Sequence, residues 1–211
     1  MIIAVDGPTA SGKGTIARAL AAHYGLPHLD TGLLYRAVGL HTITHGGDPD
    51  SEADALQGCD FPEELLAHPE LRTEAVGGLA SRVSRHPAVR AALLERQQAF
   101  ARQPGGAVLD GRDIGTVIAP EAEAKLFVTG SLAVRAQRRL DEMRARGLAA
   151  SLDDITADLA ARDSRDAGRD AAPLARAADA ALLDTSDLCI EKAVREAIKL
   201  VDAQLGRHAQ A

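Results

Sequence analysis

A chain that begins M-I-I-A-V-D-G-P-T-A-S-G-K-G-T-I-A-R-A-L has few ways to fold its first twenty residues. Ile2 to Val5 is a short apolar run rich in β-branching, the pattern of a strand buried on both faces. Gly7, Pro8, Gly12 and Gly14 then break any regular repeat. From Thr15 the apolar positions Ile16, Ala19, Leu20 and Ala22 return at helical spacing. Strand, glycine-rich loop and helix follow one another with nothing between them.

That order is the context in which a loop can cradle phosphate. Glycines at 7, 12 and 14 let the backbone curl with its N–H groups inward, through dihedrals that a side chain would forbid. The helix behind them offers unpaired N–H groups and the positive end of its dipole. Lys13 supplies an ammonium for the outer phosphates, and Thr15 a hydroxyl for Mg²⁺. Lys13 is the only lysine before Lys125 in a chain that otherwise uses arginine. The bland alternative is a glycine turn with a surface lysine nearby. The whole stretch Gly7, Pro8, Thr9, Ala10, Ser11, Gly12, Lys13, Gly14 and Thr15 is therefore the candidate ATP-binding loop.

Downstream the chain alternates strands and helices. Residues 26–32, L-P-H-L-D-T-G, read as a short strand ending at Asp30-Thr31-Gly32, and a helix from Leu33 stops near His45-Gly46-Gly47. Residues 48–70 carry two short helical pieces, at 51–57 and 62–68. Helices are predicted over 71–85 and 88–102, with Pro87 suited to the first turn. Ala107–Asp110 is a third strand and Ala124–Val128 a fourth. Ser131 is placed to cap a helix running to Arg146, with Gly147 as its stop. Ser151 and Asp154 form a capping box for a helix ending near Asp166. Ala180–Leu183 is a fifth strand, and Ser186 is expected to cap a last helix ending at Gly206.

This alternation predicts an α/β fold, a five-stranded parallel sheet flanked by helices with right-handed crossovers. A length of 211 residues with 46% hydrophobic content suits a single domain, 1–211. In such sheets ligands collect at the carboxyl ends of the strands. Gly7–Thr15, Asp30–Gly32 and Asp110–Asp113 all fall there. Asp110, closing an apolar strand, is either a Mg²⁺-holding acid acting through water or a turn-former before Gly111.

Net charge is −6 and aromatics make up 2% of the chain, which argues against nucleic acid as a partner and against base-stacking surfaces. Cys59 and Cys189 stand alone, as in a reduced cytoplasmic protein. No apolar run approaches the roughly 20 residues of a membrane span, and the first residues lack the basic start of a signal peptide. The reading is of a cytoplasmic monomer acting on small molecules.

Arginines are the second signal. Eight lie between Arg135 and Arg169, with no lysine. Arg144 and Arg146 fit a solvated helix laced with i,i+4 pairs. Arg162, Asp166 and Arg169, at i, i+4 and i+7, share one face if the helix continues that far. Guanidinium forks around a carboxylate suit a ligand with phosphate and ribose hydroxyls. The helical pair over about 135–169 has the look of a lid that would exclude water from a transferring phosphoryl group.

Taken together, G-P-T-A-S-G-K-G-T, L-D-T-G-L-L-Y-R, H-P-A-V-R-A-A-L-L-E-R-Q, D-G-R-D-I-G-T and R-D-S-R-D-A-G-R-D-A-A-P-L resemble the bacterial cytidylate kinases, P-loop nucleoside monophosphate kinases. The G-K-G-T spacing, with Gly14 between Lys13 and Thr15, is a form associated with such small nucleotide kinases. The resemblance implies a monophosphate-binding insert over about 33–102 and transfer of the ATP γ-phosphoryl group to CMP or dCMP. It implies that Thr31, Arg90 and Asp113 read cytosine, and that Ser81, Arg162 and Asp166 hold the ribose. Arg36, Arg112 and Arg169 would clamp the acceptor phosphate, and Arg139 or a neighbour would cover ATP. The implied catalytic groups are Lys13, Arg112, Arg162 and Arg169, with Mg²⁺ held by Thr15 and, partly through water, Asp110. One departure stands out: residues 46–70 are shorter than the insert of better-known members and lack strand-like alternation. The rival readings are another small-molecule kinase, acting on AMP, UMP or shikimate, and a nucleotide-hydrolysing switch without an acceptor.

Overall fold

The computed structural model describes residues 1–206. Five strands, β1 (Ile2–Asp6), β2 (His28–Asp30), β3 (Ala107–Gly111), β4 (Ala124–Thr129) and β5 (Ala181–Asp184), form one sheet in the order β2-β3-β1-β4-β5. The β1–β3, β1–β4 and β4–β5 pairs are all parallel, with Val5 opposite Asp110 and Asp6 opposite Gly111. The expected parallel α/β sheet is thus the sheet observed.

Eight α-helices connect and flank these strands among the described residues: α1 (Lys13–Tyr24), α2 (Thr31–Thr44), α3 (Glu52–Gln57), α4 (Glu74–Val83), α5 (Pro87–Ala101), α6 (Leu132–Ala145), α7 (Leu152–Ala167) and α8 (Ile190–Gln204). The chain divides into two compact units, residues 1–29 with 101 onward, and residues 30–100.

In the first unit the buried strand runs meet buried helix faces. Ile3, Val5, Val108, Leu126 and Val128 pack with Ile16 and Leu20 of α1 and with Ala197 and Val201 of α8. Each such side chain removed from water is worth about 1.5–3 kcal/mol, which explains why β1 and β3 carry no polar alternation. A smaller cluster joins α6 to α7 through Ala136, Leu140, Ile155 and Leu159, and Ala10 of the glycine-rich loop packs against it. In the second unit Leu34 and Val38 of α2 meet Val76 and Val83 of α4, Leu71, and Val89 and Leu93 of α5.

Most helix ends fall where capping chemistry placed them. Ser131 accepts from Val134 N–H at the head of α6, and Ser151 from Asp154 N–H at the head of α7. Three boundaries differ from expectation. Thr31 already belongs to α2, because the Asp30 carboxylate accepts from Gly32 N–H and caps the helix there. Residues 69–72 form a 3₁₀ turn, and Thr73 caps α4 two residues later than a continuous 71–85 helix would begin. Ser186 does not cap α8, which starts after Cys189 without a side-chain cap. Its hydroxyl instead donates to Asp184 and accepts from Ser131 N–H, tying the end of β5 to the start of α6. Helix α7 stops at Ala167, in line with the expected end near Asp166, so it does not continue to Arg169, which lies in the following loop. Residues 48–72 contain α3 and two 3₁₀ pieces and no strand.

Candidate functional site

The glycine-rich loop leaves the end of β1 and turns into α1. Gly7 has φ 156°, and a Cβ there would collide with the Val128 carbonyl, so only glycine lets the loop pass this close to β4. Gly12 has φ 89° and heads α1 without a side-chain cap, which leaves the opening of the helix as an anion-facing end. Gly14 does not need its glycine for backbone reasons. It sits in the first turn of α1, where a Cβ would make ordinary contact, 3.6 Å from Asp110 Oδ2. The left-handed residue that completes the curl is Ala10, at φ 60°. A non-glycine residue there stores on the order of 1–3 kcal/mol, and its methyl group is held by the α6–α7 cluster.

Thr9, inside this loop, is gripped from two sides. Arg112 Nη2 donates to its hydroxyl at 2.8 Å, and Arg135 Nη1 donates to its carbonyl at 3.0 Å. Both arginines run on to α7: Arg112 Nε to Asp166 Oδ2 at 2.7 Å, and Arg135 to both oxygens of Asp163 at 3.2 and 2.6 Å. Arg169 completes the group, with Nη2 at 3.7 Å from Asp166 Oδ1 and Nε bonded to the Asp166 carbonyl. It reaches Asp166 from the loop rather than from the same helical face. Burial alone would push the Asp166 carboxyl up, but Arg112 and Arg169, with Lys13 also in range, hold it below the usual carboxylate range. Lys13 Nζ donates to Pro8 O at 3.3 Å, and Arg162, buried on α7, pairs with Asp158 at 2.8 Å. Arg139 pairs with Glu142 on its own helix.

Within the first unit the structure therefore gathers the loop, Lys13, Arg112, Arg169 and Asp166. Asp110 and Asp113 are both buried there, Asp110 facing Gly14 and Asp113 opening a single π turn over Ile114–Ile118. Thr15 is exposed and accepts a long hydrogen bond, 3.3 Å, from Arg18. A buried carboxylate and a helix-end hydroxyl on adjacent elements are oxygen donors of the kind that would suit Mg²⁺.

The second unit carries the other expected residues. Thr31 is buried at the head of α2. Arg36, one turn on, donates to the carbonyls of Leu71 at 2.8 Å and Thr73 at 3.0 Å. Arg90 on α5 stands over the Tyr35 ring at 5.5 Å and donates to Ser84 O. Ser81 accepts the Ser84 hydroxyl at its carbonyl.

Several residues of the site were not legible beforehand. Asp6 accepts from Ile114 N–H and Gly115 N–H at 2.8 Å each, and so fixes the turn that follows Asp113. Thr185 donates to Ser11 O at 3.0 Å and accepts from Arg138, joining the loop to the end of β5. Asp6 is pushed up to about 6, chiefly by burial, against the two backbone hydrogen bonds that pull it down. A folded value above the ordinary 3.8 means that this group's stabilisation is fully present below about pH 4 and is lost as the pH rises through about 6. Asp6→Asn removes that dependence. The stability gap between the two proteins, read by urea unfolding, is expected to move by about 2 kcal/mol in the variant's favour from pH 4 to pH 7.

Comparison with known proteins shows the family of the chain. The family model described as cytidylate kinase matches residues 3–203. The chain is similar to the cytidylate kinase of Xanthobacter autotrophicus, 55% identical over 205 residues that cover 97% of this chain and 98% of that protein. It is likewise similar to the cytidylate kinase of Cereibacter sphaeroides, 56% identical over 200 residues, covering 95% and 94%. Among solved structures, an uncharacterized protein from Eubacterium ventriosum superposes with a TM-score of 0.57 at 14% identity, covering 96% of this chain and 99% of that one, a likeness of fold.

Proposed function

We propose the following division of labour from one premise: the chain belongs to the cytidylate kinase family. It is a nucleoside monophosphate kinase, a phosphotransferase of pyrimidine nucleotide metabolism that moves the γ-phosphoryl group of ATP to CMP. What remains to be assigned is the work of its residues. The observation that carries the assignment is the grip of Arg112 on Thr9 of the loop and on Asp166, with Arg169 and Lys13 around the same carboxylate.

The backbone of Gly7–Thr15 binds the outer phosphates of ATP, and Lys13 neutralises charge on the β- and γ-phosphates. An oxygen of the CMP phosphate attacks the γ-phosphorus as the bond to the β–γ bridging oxygen breaks, releasing ADP. The attacking oxygen is already an anion, so no general base is required. Arg112 and Arg169, released from Asp166, spread over the transferring group and the acceptor phosphate, assisted by Arg36 and Arg162. Thr15 and Asp110 would hold Mg²⁺, Asp110 partly through water; when bound, the ion supplies neutralisation of phosphate charge. Asp113, with Thr31 and Arg90, reads the cytosine edge, and Ser81, Arg162 and Asp166 address the ribose, which admits dCMP as a second acceptor. Arg139 or the neighbouring Arg138 lies on the helix that covers ATP. Helices α6 and α7 act as the lid and residues 33–102 as the monophosphate-binding insert of one monomeric, cytoplasmic enzyme.

The test is release of ADP over a panel of acceptors. CMP and dCMP are expected to turn over fastest, with UMP well behind and AMP and shikimate inert. Asp113→Asn is expected to reduce the CMP-to-UMP preference by about 10- to 100-fold, the worth of one charge-assisted hydrogen bond. Faster turnover with AMP or shikimate would sink the acceptor assignment. ATP hydrolysis unchanged by CMP would favour a switch instead.

A further inference from the structure

We propose that His28 is a positioning residue for the metal–nucleotide complex, acting through Asp110. The inference rests on the reading of Asp110 as the acid that holds Mg²⁺ through water, and it concerns the groups behind that acid. His28 lies on β2, the strand beside β3, and its Nε2 is 2.7 Å from Asp110 Oδ1. The carboxylate can only accept, so Nε2 carries the proton and donates it. Asp110 is 3% exposed, which makes the direction of its carboxylate a matter of its partners rather than of solvent.

The two oxygens of Asp110 have different surroundings. Oδ1 takes the imidazole N–H. Oδ2 is turned toward α1, at 3.6 Å from the position a Cβ would occupy on Gly14, next in sequence to Thr15. A hydrogen bond to one oxygen of a carboxylate fixes the rotation of the group and so aims the other. This aims Oδ2 at the start of the helix whose Lys13 and Thr15 face the nucleotide phosphates. The lack of a side chain on Gly14 leaves that approach open, which accounts for a glycine at a position whose backbone does not require one. His28 on the edge strand thus does for Asp110 what an outer carboxylate or carbonyl does for a metal-binding histidine: it sets the orientation of the inner group.

The experiment compares ATP binding with Mg²⁺ and with EDTA by titration calorimetry, for wild type, His28→Leu, His28→Asn, His28→Gln and Asp110→Asn. In His28→Leu the gain in ATP affinity from Mg²⁺ is expected to fall by about tenfold, at the low end for an outer partner of a metal site. Affinity for ATP in EDTA and for CMP should stay at wild-type values. His28→Gln, which keeps a donor of similar reach, should recover most of the gain. If His28→Leu does not fold, His28→Asn, too short to reach the carboxylate, makes the same comparison. Equal loss of ATP affinity with and without Mg²⁺, no loss at all, or failure of His28→Gln to recover would each overturn the role of His28. Asp110→Asn separates the two readings: if it lowers the Mg²⁺ gain while His28→Leu does not, only the inference falls. If Asp110→Asn leaves the gain intact, the metal reading of Asp110 falls with it.

Discussion

Lys13→Ala is expected to lower kcat for CMP phosphorylation by about 10³-fold, the upper range for losing one preorganised charge-stabilising donor. The side chain is partly buried, and one of its contacts is a long hydrogen bond, 3.3 Å, to the Pro8 carbonyl. The melting temperature is expected to stay close to that of wild type. What truncation removes is the only lysine of the first 124 residues, placed where its field reaches Asp166 and the arginines around it. As two phosphates and a migrating phosphoryl group crowd together, a mobile ammonium is the one cation on the loop that can follow the charge. Arginine at this position keeps the charge, but its bulkier planar fork is fitted to a different geometry; Lys13→Arg should recover less than a tenth of the lost rate. Steady-state assays with saturating ATP and CMP, alongside thermal melts, check both. A folded Lys13→Ala protein that keeps more than a few per cent of wild-type turnover would remove Lys13 from the catalytic groups.

The parts of this protein set by local chemistry could be read from the chain. Ile2–Val5 and Ala107–Leu109 announce buried strands because both faces of a central strand are covered. Ser131 and Ser151 announce helix starts because each side chain satisfies a backbone N–H three residues on. What escaped is set by partners distant in sequence. The π turn at Ile114–Ile118 has no local signature; it is held by Asp6, more than a hundred residues earlier. Ser186 had the residue type of a cap but is engaged by Asp184 and Ser131, so α8 begins further on. Arg135 is indistinguishable in sequence from its solvated neighbours, yet it is buried and binds Asp163, Gly130 and Thr9. His28 likewise shows its role only once β2 lies beside β3. At the candidate site, the loop spacing alone singles out Lys13 and Thr15. The i, i+4, i+7 spacing put Arg162, Asp166 and Arg169 on one helical face; the helix stops at Ala167, so Arg169 meets Asp166 from the loop, and Arg162 pairs with Asp158.

Arg112→Ala is expected to cost about 10³-fold or more in kcat, the range for an arginine that stabilises transferring phosphoryl charge. Unlike Lys13, Arg112 is tied into the folded protein, by Nε to Asp166 and by Nη2 to Thr9. Its loss therefore has a structural signature that differs from its catalytic one. Asp166 is buried, and two opposing influences act on it: burial raises its carboxyl, and the guanidiniums of Arg112 and Arg169 lower it past the ordinary value. With a depressed folded value, Asp166 contributes stability that is present at neutral pH and lost as the pH falls through that value. Without Arg112 the balance shifts toward burial. The variant should be less stable than wild type at pH 7, and the deficit should shrink on going to pH 5, as the stranded carboxylate gains its proton. Arg112→Lys keeps a charge near Asp166 but not the fork that also reaches Thr9, so it should recover much of the stability and little of the rate. The two readouts then separate. If Arg112→Lys restores turnover in proportion to stability, Arg112 serves only to hold the loop to α7, and the charge on the moving phosphoryl group must be met by Arg169 and Lys13 alone.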